Sequence, residues 1–183
     1  PAGVQPPIDP TSDKPENQTD STKRFKEDKD LQEKLSKTLQ LSEVSAKDFD
    51  AVFYPGGHGP LWDLAESKVS TQLIEDFNQS GKPVSFVCHA PGALKYAKDA
   101  NGAYLVKGKK VTGFTNSEEA LAGLTDVVPF LVEDMLKENG AKHSKVDDFQ
   151  EYAIEDGLLI TGQNPASSEK VAELLLNQLK NTT

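Results

Sequence analysis

VSFVCHAPGAL, residues 84–94, is the stretch on which the fold turns. Val84 to Val87 form a short, mainly apolar run of the kind expected of a strand buried on both faces. Pro91 then suits the first turn of a helix, where its missing N–H costs nothing, and Ala93, Leu94 and Ala97 supply an inward face. The pattern predicts strand, tight turn and helix, with Cys88 and His89 on the turn. Two readings of Cys88, the only cysteine, follow. A strand-to-helix turn projects a side chain above the sheet edge, aims backbone N–H groups at a reacting atom and sets sulfur at a positive helix end, all of which favour thiolate. Against this, an unpaired cysteine is among the most buried residue types and most do no chemistry.

The surrounding sequence repeats the alternation. DAVFYPGGHGP, residues 50–60, gives a strand from Ala51 to Tyr54 that runs into Gly56, Gly57 and Gly59, where the backbone can turn sharply or approach a ligand. A helix is predicted from Leu61 to Gln79, broken near Ser67 and stopped by Gly81. Lys110 to Phe114 reads as another strand, Asn116 or Ser117 as the cap of a short helix, and Val128 to Asn139 as a longer helix closed by Gly140. Tyr152 to Glu155 and Leu158 to Thr161 flank Asp156 and Gly157 as a hairpin. Ser167 or Ser168 caps a last helix with Val171, Leu174, Leu175 and Leu179 as its inward stripe. Strands alternating with helices predict an α/β sandwich around a mainly parallel sheet.

The first part of the chain is different. Residues 1–19 hold five prolines and read as an extended connector, and a charged surface helix is predicted from Ser21 to Thr38. Sheets of this class usually open with a strand, and nothing before Ala51 has that pattern. The 183 residues are therefore read as one domain, 1–183, lacking an opening strand, helix and strand unit of roughly 30 residues or more.

Composition narrows the function classes. Twenty Lys and Arg against 29 Asp and Glu give a net charge of −9, a field that repels nucleic acid and anionic membrane. No apolar run approaches the roughly 20 residues needed to span a bilayer. A lone thiol in an acidic chain fits a reducing compartment, so a cytoplasmic protein is expected.

The candidate residues cluster at the carboxyl ends of the first two predicted strands, which a parallel sheet places along one edge. Backbone N–H groups of Gly56, Gly57 and His89 are candidates for an oxyanion pocket, although PGGHG is also a plain flexible turn. His58 and His89 are candidates for proton transfer. Because His89 adjoins Cys88 in sequence, it is expected to turn toward a carboxylate, Glu119 or Glu118, more than to grip the sulfur. The two glutamates are otherwise a solvated helix start. A metal site from His58, Cys88, His89 and Glu119 has no zinc-like spacing and is not expected. His143, among lysines, reads as surface.

Taken together, PPIDP, PENQT, DFDAVFYPGGHGPLWDLAES, VCHAPGAL, VKGKKVTGFTNSEE, VPFLVEDML and DGLLITGQNPASS resemble the PfpI superfamily of class I glutamine amidotransferase-like proteins, in its branch of heat-shock chaperones and glutathione-independent glyoxalases, or glyoxalase III. The resemblance implies a flavodoxin-like three-layer sandwich with Cys88 on a nucleophile elbow, His89 beside it and Glu119 as the third member. Gly56, Gly57 and His58 would line the oxyanion and substrate pocket. It further implies conversion of methylglyoxal or a related 2-oxoaldehyde to a 2-hydroxy acid through a hemithioacetal on Cys88, with no metal or organic cofactor, in a homodimer. Unfolded or glycated protein clients, a stress holdase, or an intracellular cysteine peptidase are the alternatives the same resemblance carries. Glutamine hydrolysis is disfavoured, because His143 is followed by Ser144 and Lys145 where amidotransferases carry His-x-Glu. Relatives also carry an acidic residue on the loop after their first strand, a region this chain does not contain.

Overall fold

The computed structural model describes residues 2–181. Its backbone groups into two compact units, one ending at Val44 and one beginning at Ser45.

In the first unit the proline-rich stretch forms short 3-10 turns at Pro10–Asp13 and Pro15–Asn17. The single helix predicted over 21–38 is two helices, α1 (Asp20–Glu27) and α2 (Lys29–Ser36). Asp28 separates them, closing α1 with its N–H and capping α2 with its carboxylate, which accepts from the Leu31 N–H at 3.0 Å. Thr19 and Thr22 form a reciprocal capping box at the start of α1. Neither helix buries a residue, in keeping with sparse apolar positions.

The second unit contains the sheet. Its elements are β1 (Val52–Tyr54), α3 (Lys68–Gln79), β2 (Val84–Val87), β3 (Lys110–Val111), α4 (Asn116–Leu121), α5 (Val132–Glu138), β4 (Lys142–His143), β5 (Ala153–Asp156), β6 (Leu159–Gly162) and α6 (Ser168–Asn181). The main sheet has the order β1-β2-β6-β5, parallel throughout except for β5, which runs antiparallel to β6. Val84 to Val87 are all buried, as are Leu159 to Gly162, because β2 and β6 lie inside the sheet with both faces covered.

Side-chain alternation assigns the two faces. On one, Phe86 stacks on Tyr54 with ring centroids 4.9 Å apart, and the Tyr54 hydroxyl lies 3.0 Å from Ser70 Oγ on α3. On the other, Val87 packs with Val171 and Leu175 of α6. Helices therefore cover opposite faces, giving three layers. Ser67 caps α3 by accepting from the Ser70 N–H, and Ser70, Leu73, Ile74 and Phe77 form its buried i, i+3, i+4, i+7 stripe.

Several predicted boundaries move. Leu61 to Ser67 is a 3-10 turn and loop, so the helix of that region starts only at Lys68. The segment after Cys88 is a five-residue 3-10 turn, Ala90–Leu94, fully buried, where an α-helix was expected. β3 stops at Val111 and pairs with β4 in a separate two-stranded parallel sheet. Beyond it, Thr112 donates its N–H to Thr161 Oγ1 and Phe114 donates to the Cys88 carbonyl at 2.8 Å, so this stretch leans on the main sheet through single bonds. Thr115, one residue earlier than expected, is the cap of α4, and α5 starts at Val132. The hairpin forms with its turn displaced by one residue, to Gly157 and Leu158, with Asp156 opposite Leu159. Val171 and Leu175 are buried, while Leu174 and Leu179 are partly so. His143 is half-buried in β4 rather than on the surface.

Among the described residues, no helix is long and apolar enough to cross a membrane.

Candidate active site

The parallel strands β1, β2 and β6 end along one edge, and the residues that follow them meet there: Gly56, Gly57 and His58 after β1, Cys88 and His89 after β2, Gln163 and Asn164 after β6. Cys88 is bent into a left-handed conformation, φ 64°, which costs a non-glycine residue about 1–2 kcal/mol. Two main-chain bonds hold it there: its N–H donates to Gly162 O at 3.0 Å and its carbonyl accepts from Phe114 N–H. The strained corner is a nucleophile elbow in geometry.

Glycine at 56 is a matter of space. A Cβ there would sit 2.8 Å from Cys88 Cβ, so only a bare backbone can pass the elbow. Gly57 follows at φ +99°, and its N–H, with that of His89, donates toward the Cys88 sulfur. Gly56 is thus a close-approach position, and Gly57 and His89 supply the donors.

His89 bridges the two ends of the site. Its Nδ1 lies 3.3 Å from Cys88 Sγ and its Nε2 donates to Glu119 Oε2 at 2.5 Å. The expectation that His89 turns to a carboxylate rather than the sulfur is half of the arrangement: it reaches both. A carboxylate only accepts, so Nε2 carries the hydrogen and Nδ1 is left to accept from the thiol. His58 uses the other oxygen, donating from Nε2 to Glu119 Oε1 at 2.8 Å, and its ring lies 3.9 Å from that of His89. His58 is 30% exposed in its side chain, whereas His89 and Glu119 are buried. These three residues also form the metal-compatible cluster found among the described residues, with donor atoms within 4.8 Å of one another. Both imidazoles already spend Nε2 on Glu119, so the arrangement is a hydrogen-bonded His-Glu-His bridge.

Burial sets the protonation states. It pushes the Cys88 thiol up to about 12; the N–H groups of Gly57 and His89 pull the other way, and the charges of Glu118 and Glu119 add to the rise. Burial likewise lowers His89 to about 4, against the hydrogen bond to Glu119. Burial thus opposes the thiolate that the two N–H donors favour. A five-residue 3-10 turn offers little dipole, and exclusion of water outweighs two N–H donors. At rest the pair is neutral thiol and neutral imidazole. Thiolate forms when the proton passes to Nδ1, and Glu119 then stabilises the imidazolium.

Glu118 and Glu119 separate cleanly. The Glu118 carboxylate, fully buried, accepts from five donors: Thr115 N–H and Oγ1, Phe149 N–H, Gln163 Nε2 and Asn164 Nδ2. α4 is further pinned by Glu133, which accepts from Asn116 N–H at 2.9 Å. Phe114, Phe149, Gln163 and Asn164 were not singled out by sequence reasoning. Polar Gln163 and Asn164 directly after an apolar strand were the available signal.

A DJ-1/PfpI family profile matches residues 15–178. The chain belongs to the DJ-1/PfpI family. It is 34% identical over 171 residues to the glutathione-independent glyoxalase HSP31 of Saccharomyces cerevisiae, covering 90% of this chain and 72% of that one. Among solved structures, the Rapid Encystment Protein 24 KDa (REP24) of Francisella tularensis aligns with a TM-score of 0.90 at 36% identity, covering 97% of this chain and 78% of that chain. Glyoxalase III of Candida albicans aligns with a TM-score of 0.87 at 27% identity, covering 93% and 75%. The mainly parallel sheet flanked by helices is this family's α/β fold.

Proposed function

We propose that the chain is a glutathione-independent glyoxalase, converting methylglyoxal or a related 2-oxoaldehyde to the 2-hydroxy acid with Cys88 as nucleophile. The observation that carries this reading is His89, which joins the Cys88 sulfur at one ring nitrogen to the Glu119 carboxylate at the other. A relative at 34% identity bears the same activity in its name, which supports the reading.

The chemistry follows the proton. Cys88 Sγ adds to the aldehyde carbon while its hydrogen passes to His89 Nδ1 and on to the former carbonyl oxygen, giving a hemithioacetal. His89, neutral again, takes the hydrogen on C1 and returns it to the C2 oxygen as the electron pair moves, giving a C1–C2 enediol. Loss of the C1 hydroxyl proton to His89, with a proton delivered to C2, then gives the 2-hydroxy thioester. Water cleaves the C–S bond, leaving the 2-hydroxy acid and returning the thiol. N–H groups of Gly57 and His89 face the oxygen that carries charge during addition and hydrolysis, with Gly56 and His58 completing the pocket wall. Glu119 orients His89 and stabilises each imidazolium.

The holdase alternative gives the buried Cys88, His89 and Glu119 no task. The reading extends to a homodimeric, cytoplasmic protein that also meets glycated protein chains, which sizing of the purified protein and assays on glycated substrates would check. Its decisive experiment is lactate formation from methylglyoxal without glutathione. Cys88→Ala is expected to lower the rate at least ~10³-fold while remaining folded, as loss of a nucleophile does. Equal rates in the variant and the wild type would refute the reading.

A further inference from the structure

Among the described residues, two that are not glycine hold a positive φ: Cys88 at 64° and Phe149 at 59°. Such conformations persist in bulky residues only where surrounding contacts impose them, and they gather at functional sites. The Cys88 strain is explained by the elbow. Phe149 lies 61 residues away in sequence, in the loop between β4 and β5, yet both converge on Phe114. Phe114 donates its N–H to the Cys88 carbonyl, lays its ring 4.1 Å from that of His89, and meets the Phe149 ring edge-on at 6.0 Å.

What imposes the Phe149 conformation is also in view. Its N–H donates to Glu118 Oε1 at 2.7 Å, and Glu118 precedes Glu119 on α4. The flanking loop is clamped from β6: Gln163 accepts from Val146 N–H at 2.9 Å, and Asn164 donates to Gln150 O at 2.7 Å. A strained backbone, a buried carboxylate and two side-chain clamps thus fix a residue that is 46% exposed. Its ring is held at the end of an aromatic row running Phe149, Phe114, His89, His58.

We propose that Phe149 is a specificity-determining wall of the Cys88 site, favouring 2-oxoaldehydes whose substituent is flat and apolar. The inference rests on the glyoxalase reading above. Phe149 touches no proton in the chemistry; it offers a ring face or edge to the substituent on C2. Its effect therefore falls on substrate binding, and it should separate substrates by their side group.

The test compares phenylglyoxal with methylglyoxal in wild type, Phe149→Gly and Phe149→Trp. Glycine accepts the positive φ, so Phe149→Gly is expected to fold. Its kcat/KM for phenylglyoxal is expected to fall about fivefold to tenfold, through KM, with methylglyoxal changed less than about twofold, and Phe149→Trp to restore the preference. Equal losses on both aldehydes, a loss confined to kcat, or no loss on phenylglyoxal would overturn the proposal. Should Phe149→Gly fail to fold, Phe149→Leu reads the same split. A wild type that turns over neither aldehyde would refute the glyoxalase reading itself, whereas one that converts methylglyoxal but not phenylglyoxal would refute only the role of Phe149.

Discussion

The two sides of α4 carry neighbouring carboxylates with opposite employment. On the elbow side Glu119 faces two imidazoles, and through His89 it reaches the sulfur. On the loop side Glu118 faces only N–H and O–H groups of fixed protein segments. Both are buried, so burial alone does not mark a functional acid. The partners do. A carboxylate whose lone pairs are filled by main-chain and amide donors is a structural hub, and one backed onto titratable rings can answer a moving proton.

Substitution at each position should pull this contrast apart. Glu119→Gln is expected to have the larger catalytic effect, a loss of roughly 10²–10⁴-fold in kcat/KM, because the imidazolium formed on thiol deprotonation loses its counter-charge and the ring its fixed tautomer. Steady-state rates alongside thermal unfolding should show this loss with the fold retained. Glu118→Gln should reverse the balance. Its amide would turn an NH₂ toward donors that now face oxygen, costing about 1–3 kcal/mol of stability for the buried groups left unpaired. Activity per folded molecule should fall less than tenfold, a ceiling set well below the proton-transfer loss expected at Glu119. Urea unfolding midpoints separate the two outcomes. If Glu118→Gln destroyed activity without loss of stability, the division between the two acids would be wrong.

The parts legible in the sequence are those fixed by local pattern. The apolar runs at Val52–Tyr54 and Val84–Val87, the break near Ser67 and the Asp156–Gly157 turn signal gave strands, a helix boundary and a hairpin, with shifts of about one residue at some strand ends. The site residues named on the strand ends, Gly56, Gly57, His58, Cys88 and His89, come together with Glu119. What was not legible depends on contacts distant in sequence. Pro91 and the alanines after it look helical, yet the segment packs under Leu61 and Phe130, where Gly92 has no room for a side chain, and it closes after one 3-10 turn. Phe149 carries no local signal at all, because its backbone is set by Glu118, 31 residues earlier. The protonation of Cys88 was not legible for the same reason: the favourable donors are local, while the water exclusion that opposes them is a property of the packed site.

That last point supplies the sharpest test. The thiol pKa is raised, so the thiolate is scarce below it and its fraction should climb about tenfold per pH unit across the neutral and alkaline range. The measurement is the rate of iodoacetamide labelling at Cys88 against pH in the unliganded protein. A buried neutral thiol awaiting transfer of its proton to His89 predicts rates still rising at pH 10, with no plateau. A curve that reaches its plateau by about pH 7.5 would show a resting thiolate and contradict the account.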